Sequence, residues 1–171
     1  MESTDVLVIG SGIAGLCAAI EAARTGATVT VASAGKTMSG SSFFPGTWGL
    51  GLIGPVNEDD EQDLIDTILA VGGGVADPEL VQAFVHGIPQ AIDWLEQDLG
   101  VELQRPQSAK SAQQKQFIPC FDHKTRMWRG LTRKPLEDAL TTWIESLGIR
   151  LLPRHELIDL SLIHISEPTR P

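Results

Sequence analysis

The chain has 171 residues, 42% hydrophobic and 20% charged, which fits one globular domain large enough to bury a core. A formal charge of −9 argues against nucleic acid or an anionic membrane as the main partner, since both call for basic patches. No apolar run approaches the roughly 18 residues of a membrane span. Cys17 and Cys120 lie too far apart in sequence to suggest a disulfide framework or a metal knuckle, so no metal site is expected. Glu2 and Asp5 precede an apolar run too short for a signal peptide, which makes the cytoplasm the expected compartment.

In chain order, Asp5–Gly10 is a short apolar run ending on glycine, as a buried parallel strand would. Ile13 to Thr25 has helical spacing, with Gly26 placed to end it. Thr28–Ala32 reads as a second strand. The stretch from Ser33 to Pro55 is rich in glycine, serine and aromatics and lacks a period; such a loop inside a compact domain points to binding. Glu61–Val71 reads as a helix, broken by Gly72-Gly73-Gly74. Asp77 with Pro78 and Glu79 is a helix start, and that helix should run to about Leu99 with an interruption at Gly87–Pro89. Trp94 and Leu95 should face inward. Residues 104–116 read as an exposed polar loop and Phe117–Phe121 as a strand. Pro135–Leu147 carries a stripe of Leu136, Leu140, Trp143, Ile144 and Leu147. Ile149–Leu152 is a further strand, and Glu156–Leu160 begins another. No internal repeat or domain linker stands out.

The chemistry is concentrated in "GSGIAG". Gly10, Gly12 and Gly15 fit the G-x-G-x-x-G pattern between a strand and a helix, with a second strand following within about thirty residues. Gly10 would make the tight turn, Gly12 would let a pyrophosphate approach the backbone, and Gly15 would let helix and strand pack closely. Ser11, Ile13 and Ala14 complete the turn, whose helix N-terminus attracts phosphate charge. The second strand of such a site normally ends on an acid that binds ribose hydroxyls. Here Ser33 stands at that place, able to make one weaker bond, and no arginine follows to meet a 2′-phosphate. On these residues alone NAD and FAD both remain open.

The segment "VTVASAGKTMSGSSFF" resembles the flavoprotein family of L-aspartate oxidase and the flavoprotein subunits of succinate dehydrogenase and fumarate reductase. In that family the second strand often ends in Ser-Lys, followed by a Gly-Ser-Ser/Thr step and a glycine-rich loop lining flavin and pyrophosphate. The resemblance implies FAD-binding roles for Ser33, Lys36 (displaced along the loop), Gly40, Ser41, Ser42 and Gly49. Further likeness lies in "DLIDTILAVGGGVADPELVQAFVHGIPQAIDWLEQDLGV" and in "GIRLLPRHELIDL", where main-chain groups near Glu156 and Leu157 would meet the adenine. Two places depart from the family: "PGTWGLGLIGP" replaces its usual Ala-Gln-Gly-Gly-type run, and "FDHKTRMWRG" matches its His- and Arg-bearing loop only roughly. The implied fold is a Rossmann-like α/β FAD-binding domain with a parallel sheet.

The terminal "LSLIHISEPTRP" is similar to a translated transposon adapter from library preparation. Residues 1–159 are therefore read as the N-terminal part of an FAD-binding domain and residues 160–171 as a non-native tail, with capping and C-terminal domains absent. Family members carry their catalytic arginine and histidine in those later segments, so no catalytic residue is assigned. His123, Arg126 and Arg129 could clamp a substrate carboxylate, but a solvated basic loop is the preferred reading. His86 and Cys17 read as structural, and the acidic run Glu58–Glu61 as a solvated helix start. No histidine lies in residues 36–60, so FAD is expected to be non-covalent. The expected function is flavin-mediated hydride transfer with a small dicarboxylate or amino acid, most like L-aspartate oxidase. A non-catalytic FAD- or NAD-binding module and an NAD-dependent dehydrogenase, which would favour an acid at position 33, are the alternatives.

Overall fold

A computed structural model describes residues 3–44, 49–106 and 126–159. The chain forms two compact units rather than one. The first is made from its beginning through Phe44 and from Trp143 onward, the second from Pro45–Thr142. Local sequence signals do not reveal this division, because the first unit is closed by strands far apart in the chain.

The first unit contains β1 (Val6–Ile9), helix α1 (Ile13–Arg24), β2 (Val29–Ser33) and β5 (Arg150–Pro153). The sheet order is β1-β2-β5, both pairings parallel, with Val8 opposite Val31 and Ser33 opposite Pro153. β2 is buried along its whole length, as expected of a central parallel strand flanked on both edges. Leu16 and Ile20 of α1 are fully buried, each worth roughly 1.5–3 kcal/mol of apolar transfer. Arg24, in the last turn of α1, lies 5.4 Å from the Trp143 ring centroid, a cation–π contact of about 0.5–1 kcal/mol. Cys17 is a free, half-buried thiol. Burial, and secondarily the Glu21 carboxylate, push its pKa up to about 11. It stays protonated at neutral pH, which fits the structural role read from sequence.

The second unit pairs β3 (Gly49–Gly54) with β4 (Met127–Thr132) in antiparallel register, Gly51 opposite Gly130. Gln104 bridges the far side of Gly130. Two helices follow β3: α2 (Glu58–Val71) and α3 (Pro78–Asp93). A helix α4 (Arg133–Ser146) then crosses the boundary between the units. Leu64, Ile65, Val81, Val85, Ile92 and Leu131 are buried in this unit.

Several expectations are corrected here. The long aperiodic stretch contains a strand: Gly49, Gly51 and Gly54 obscured it, because glycine is depleted in strands. Helix α2 begins at Glu58 rather than Glu61, so the acidic run is its solvated start as expected, capped by Asn57, whose side chain accepts from the Asp60 amide at 2.9 Å. Acidic residues in a first turn favour the helix through its dipole. Helix α3 runs unbroken through Gly87–Pro89 and ends in a π-turn at Trp94–Asp98. An interior proline costs about 3 kcal/mol. Burial of Val81, Val85, Ile88 and Ile92 offsets that cost. Leu95 is buried, while Trp94 is half-buried. Residues after β5 do not form a strand over 155–159 but run exposed, Ile158 at 95%. Phe117–Phe121, His123, Cys120 and the tail 160–171 lie outside the described residues.

Arg126 is corrected most sharply. It is fully buried, not part of a solvated loop. One guanidinium nitrogen pairs with Asp60 and the other meets Asp63 at 2.8 Å. It joins the start of β4 to the first turns of α2, so its charge is not presented to a substrate. Arg129 turns back to donate to the Trp128 carbonyl at 2.9 Å. His86 pairs with Glu61 at 2.8 Å, linking α3 to α2.

Candidate functional site

The glycine turn sits where β1 gives way to α1, at the carboxyl end of the parallel strands. Its three glycines are required for three different reasons. Gly10 has φ of +102°, a conformation that disfavours a side chain. A Cβ on Gly15 would lie 2.1 Å from the Gly10 carbonyl oxygen and 3.4 Å from Val8, so the helix rests directly on the turn and the strand. Gly12 differs. Its backbone is extended at φ −73°, and an added Cβ would meet nothing closer than the Ser39 carbonyl oxygen at 3.6 Å.

Nothing in the protein, then, demands glycine at position 12. The pyrophosphate role read from the sequence expects glycine there for the close approach of a ligand. Gly12 is also the N-cap of α1 and supplies no side-chain cap. The amides at that helix end are left for an anion, aided by the helix dipole. No acidic residue lies in the first turn to compete with it.

Around this turn the loop after β2 folds back. The Ser39 amide donates to the Ser11 carbonyl at 3.2 Å. A Cβ on Gly40 would come within 3.8 Å of the Gly12 Cα, which places the two backbones side by side. Ser41 and Ser42 follow in a single 3-10 turn, Ser41–Phe43, whose Phe43 is buried. Lys36 is exposed, and its carbonyl accepts from the Ser11 hydroxyl at 3.2 Å. Ser33 is buried and its hydroxyl meets those of Ser11 and Ser39. After β5 the Arg154 amide donates to the Gly35 carbonyl and the His155 amide to the Ser33 carbonyl, each at 2.9 Å.

The structure therefore brings Gly10–Gly15, Ser33, Lys36 and Gly40 together, with Ser41 and Ser42 next in the chain. Glu156 and Leu157 follow in the exposed strand exit, Leu157 at 44%. Gly49 belongs to the second unit, at the start of β3. Sequence reasoning missed Ser39, Arg154 and His155. Ser39 has no motif of its own. Arg154 has φ of +59° and Met38 φ of +53°, left-handed conformations uncommon for these residues and often found at functional loops. Among the described residues, no group of three or more His, Cys, Asp or Glu could hold a metal ion, and no helix is long and apolar enough to cross a membrane.

The family model described as FAD binding domain matches residues 5–164. The chain belongs to that family. FAD is accordingly the cofactor of this fold, and the Gly12 cradle fits its pyrophosphate. An L-aspartate oxidase of Halobacterium salinarum is 46% identical over 58% of this chain and 19% of its own length. An NADH:fumarate oxidoreductase of Klebsiella pneumoniae is 32% identical over 60% of this chain and 12% of its own. The resemblance to the L-aspartate oxidase and fumarate reductase flavoproteins thus holds. A 3-ketosteroid-Δ4-(5α)-dehydrogenase from Rhodococcus jostii superposes with a TM-score of 0.65 at 23% identity, over 88% of this chain and 38% of that one. It shares the fold. The chain spans about a fifth or less of the length of these two curated relatives.

Proposed function

We propose that this chain is the FAD-binding part of an oxidoreductase that moves a hydride between flavin and a small dicarboxylate or amino acid, with L-aspartate the favoured substrate. The carrying observation is Gly12, open to the protein yet glycine. The FAD binding domain match and the L-aspartate oxidase relative support the reading. In it, the amides of Gly10–Gly15 hold the pyrophosphate, and Lys36, Gly40, Ser41 and Ser42 line the adjoining edge. Main-chain groups at Glu156 and Leu157 meet the adenine. Bound FAD supplies a two-electron acceptor, while these residues orient it and keep it in place. Catalytic residues remain unassigned; the Arg126 guanidinium is engaged by Asp60 and Asp63. Residues 1–159 are the FAD-binding part and residues 160–171 a non-native tail. Its compartment is the cytoplasm, and its FAD is non-covalent.

A fumarate- or succinate-type reaction is the second reading, favoured by the relative named NADH:fumarate oxidoreductase. The deciding experiment uses protein expressed from an independently cloned copy of the whole gene. It should purify yellow and release flavin on denaturation. Anaerobic L-aspartate should bleach the flavin absorbance under the first reading, and succinate under the second. Colourless protein that binds NAD and not FAD would defeat both.

A further inference from the structure

Ser11 and Ser33 are almost wholly buried, at 2% and 6% exposure. Their hydroxyl oxygens lie 3.0 Å apart, Ser39 lies 3.2 Å from Ser11, and Ser33 lies 3.3 Å from Ser39. Each hydroxyl has one proton to give. The Ser11 proton is shared between the Ser33 hydroxyl and the Lys36 carbonyl, 3.2 Å away; with Ser33 donating to Ser39 and Ser39 to Ser11, all three hydroxyls give and receive. A three-membered ring bends every bond, which accounts for lengths beyond the usual 2.7–2.8 Å of O–H···O contacts.

We infer that Ser33 is a positioning residue for the pyrophosphate loop, closing this hydroxyl ring, and does not bind the adenosine ribose. The inference rests on the FAD reading and deepens it. Ser33 can pass its one proton to Ser39, and its oxygen is buried beneath the loop, so a ribose hydroxyl would have to displace part of the cluster to reach it. What the ring holds is specific. Ser11 lies inside the glycine turn, and the Ser39 carbonyl stands beside Gly12 at the mouth of the cradle. Between Lys36 and Ser39 the chain passes through Met38 in a left-handed conformation, which persists only where its surroundings over-determine it. The ring and the Ser39–Ser11 backbone bond supply that constraint. A carboxylate at position 33 has no proton to pass to Ser39, and its charge would be buried. Serine is the residue the cluster calls for.

The test titrates flavin-free whole-gene protein with FAD, and with an FAD analogue whose adenosine ribose lacks its 2′- and 3′-hydroxyls, following quenching of flavin fluorescence. Ser33→Ala should weaken both ligands equally, by roughly 2- to 13-fold, the worth of one hydrogen bond. Ser33→Thr, which keeps the hydroxyl, should restore much of the loss. Ser11→Ala combined with Ser33→Ala should cost less than the product of the two single effects, because both open one ring. A Ser33→Ala penalty that disappears with the analogue would make Ser33 a ribose ligand and overturn the inference. So would strict multiplicativity of the two substitutions. If the wild-type protein takes up no FAD, the FAD reading fails by itself. The ring is then judged by thermal unfolding of wild type, the two alanine variants and their double, where additive losses would refute it.

Discussion

Two stretches of this molecule are rich in glycine, and they use it for opposite purposes. In the first unit Gly10, Gly12 and Gly15 make a turn open to a ligand. In the second, Gly51 and Gly130 lie opposite one another on β3 and β4, and Trp128 lies across both. A Cβ on Gly51 would come within 2.8 Å of the Trp128 indole nitrogen, and one on Gly130 within 2.3 Å of its ring. The ribbon glycines make room for the protein's own tryptophan, whereas nothing in the protein comes close enough to Gly12 to require it. Glycine content is therefore a poor sign of a binding loop. What a methyl group would strike at each position is a good one.

Substitution can break or sharpen that contrast. The largest effect should come from Gly15→Val, whose Cβ is driven into the Gly10 carbonyl. It should destabilise the protein by about 3 kcal/mol, at the upper end for overpacking, and lower its melting temperature with or without flavin. Gly12→Val should separate binding from folding. We expect FAD affinity to fall at least about 100-fold, roughly 2.7 kcal/mol, while flavin-free stability shifts by no more than about 1 kcal/mol. A Gly12→Val protein that retains a normal flavin spectrum would move the pyrophosphate elsewhere.

Gly130→Ala comes next, at about 2 kcal/mol of unfolding free energy. Replacing Trp128 with leucine in the same protein should recover part of that loss, since the ring that the new methyl strikes is gone. Denaturant melts of the two single variants and the double variant would show it. The smallest effect has the opposite sign. Gly87 lies inside α3, and a Cβ added there would have nothing within 4 Å. Gly87→Ala should stabilise the protein by about 0.5–1 kcal/mol through helix propensity and the unfolded chain. A loss of stability in thermal melts would mean that this glycine, too, keeps space open for a neighbour.

The β-α-β opening was legible because each of its signals is local: an apolar run, a glycine, an alanine-rich helix, another run. The caps at Asp77 and Gly100 were legible for the same reason, Asp77 accepting from the amides of Glu79 and Leu80 and Gly100 taking φ of +71°. Strands β3 and β4 were not, since "GLGLIG" and "MWRGLT" lack β-branched alternation and gain their stability from packing across the pair. Arg126 looked like a solvated charge because its partners, Asp60 and Asp63, lie far upstream and meet it only in the folded unit. At the site the glycines were readable from spacing. The hydroxyl ring was not, because Ser39 joins it through the path of a loop that no periodicity describes.

The return of β5 to the edge of β2 has a consequence for the order in which the molecule is made. Thr30 pairs with Arg150, a contact spanning about 120 residues whose closure from a disordered chain costs roughly 4 kcal/mol beyond a fixed term. At ribosomal speeds of roughly 5–20 residues per second, β2 waits many seconds for its partner. The intervening unit has time to fold first, which removes much of the slack from that closure. Only when Arg154 and His155 arrive do their amides fasten the Gly35 and Ser33 carbonyls and steady the loop beside the glycine turn. If that loop holds the cofactor, nascent chains halted before β5 should emerge without flavin.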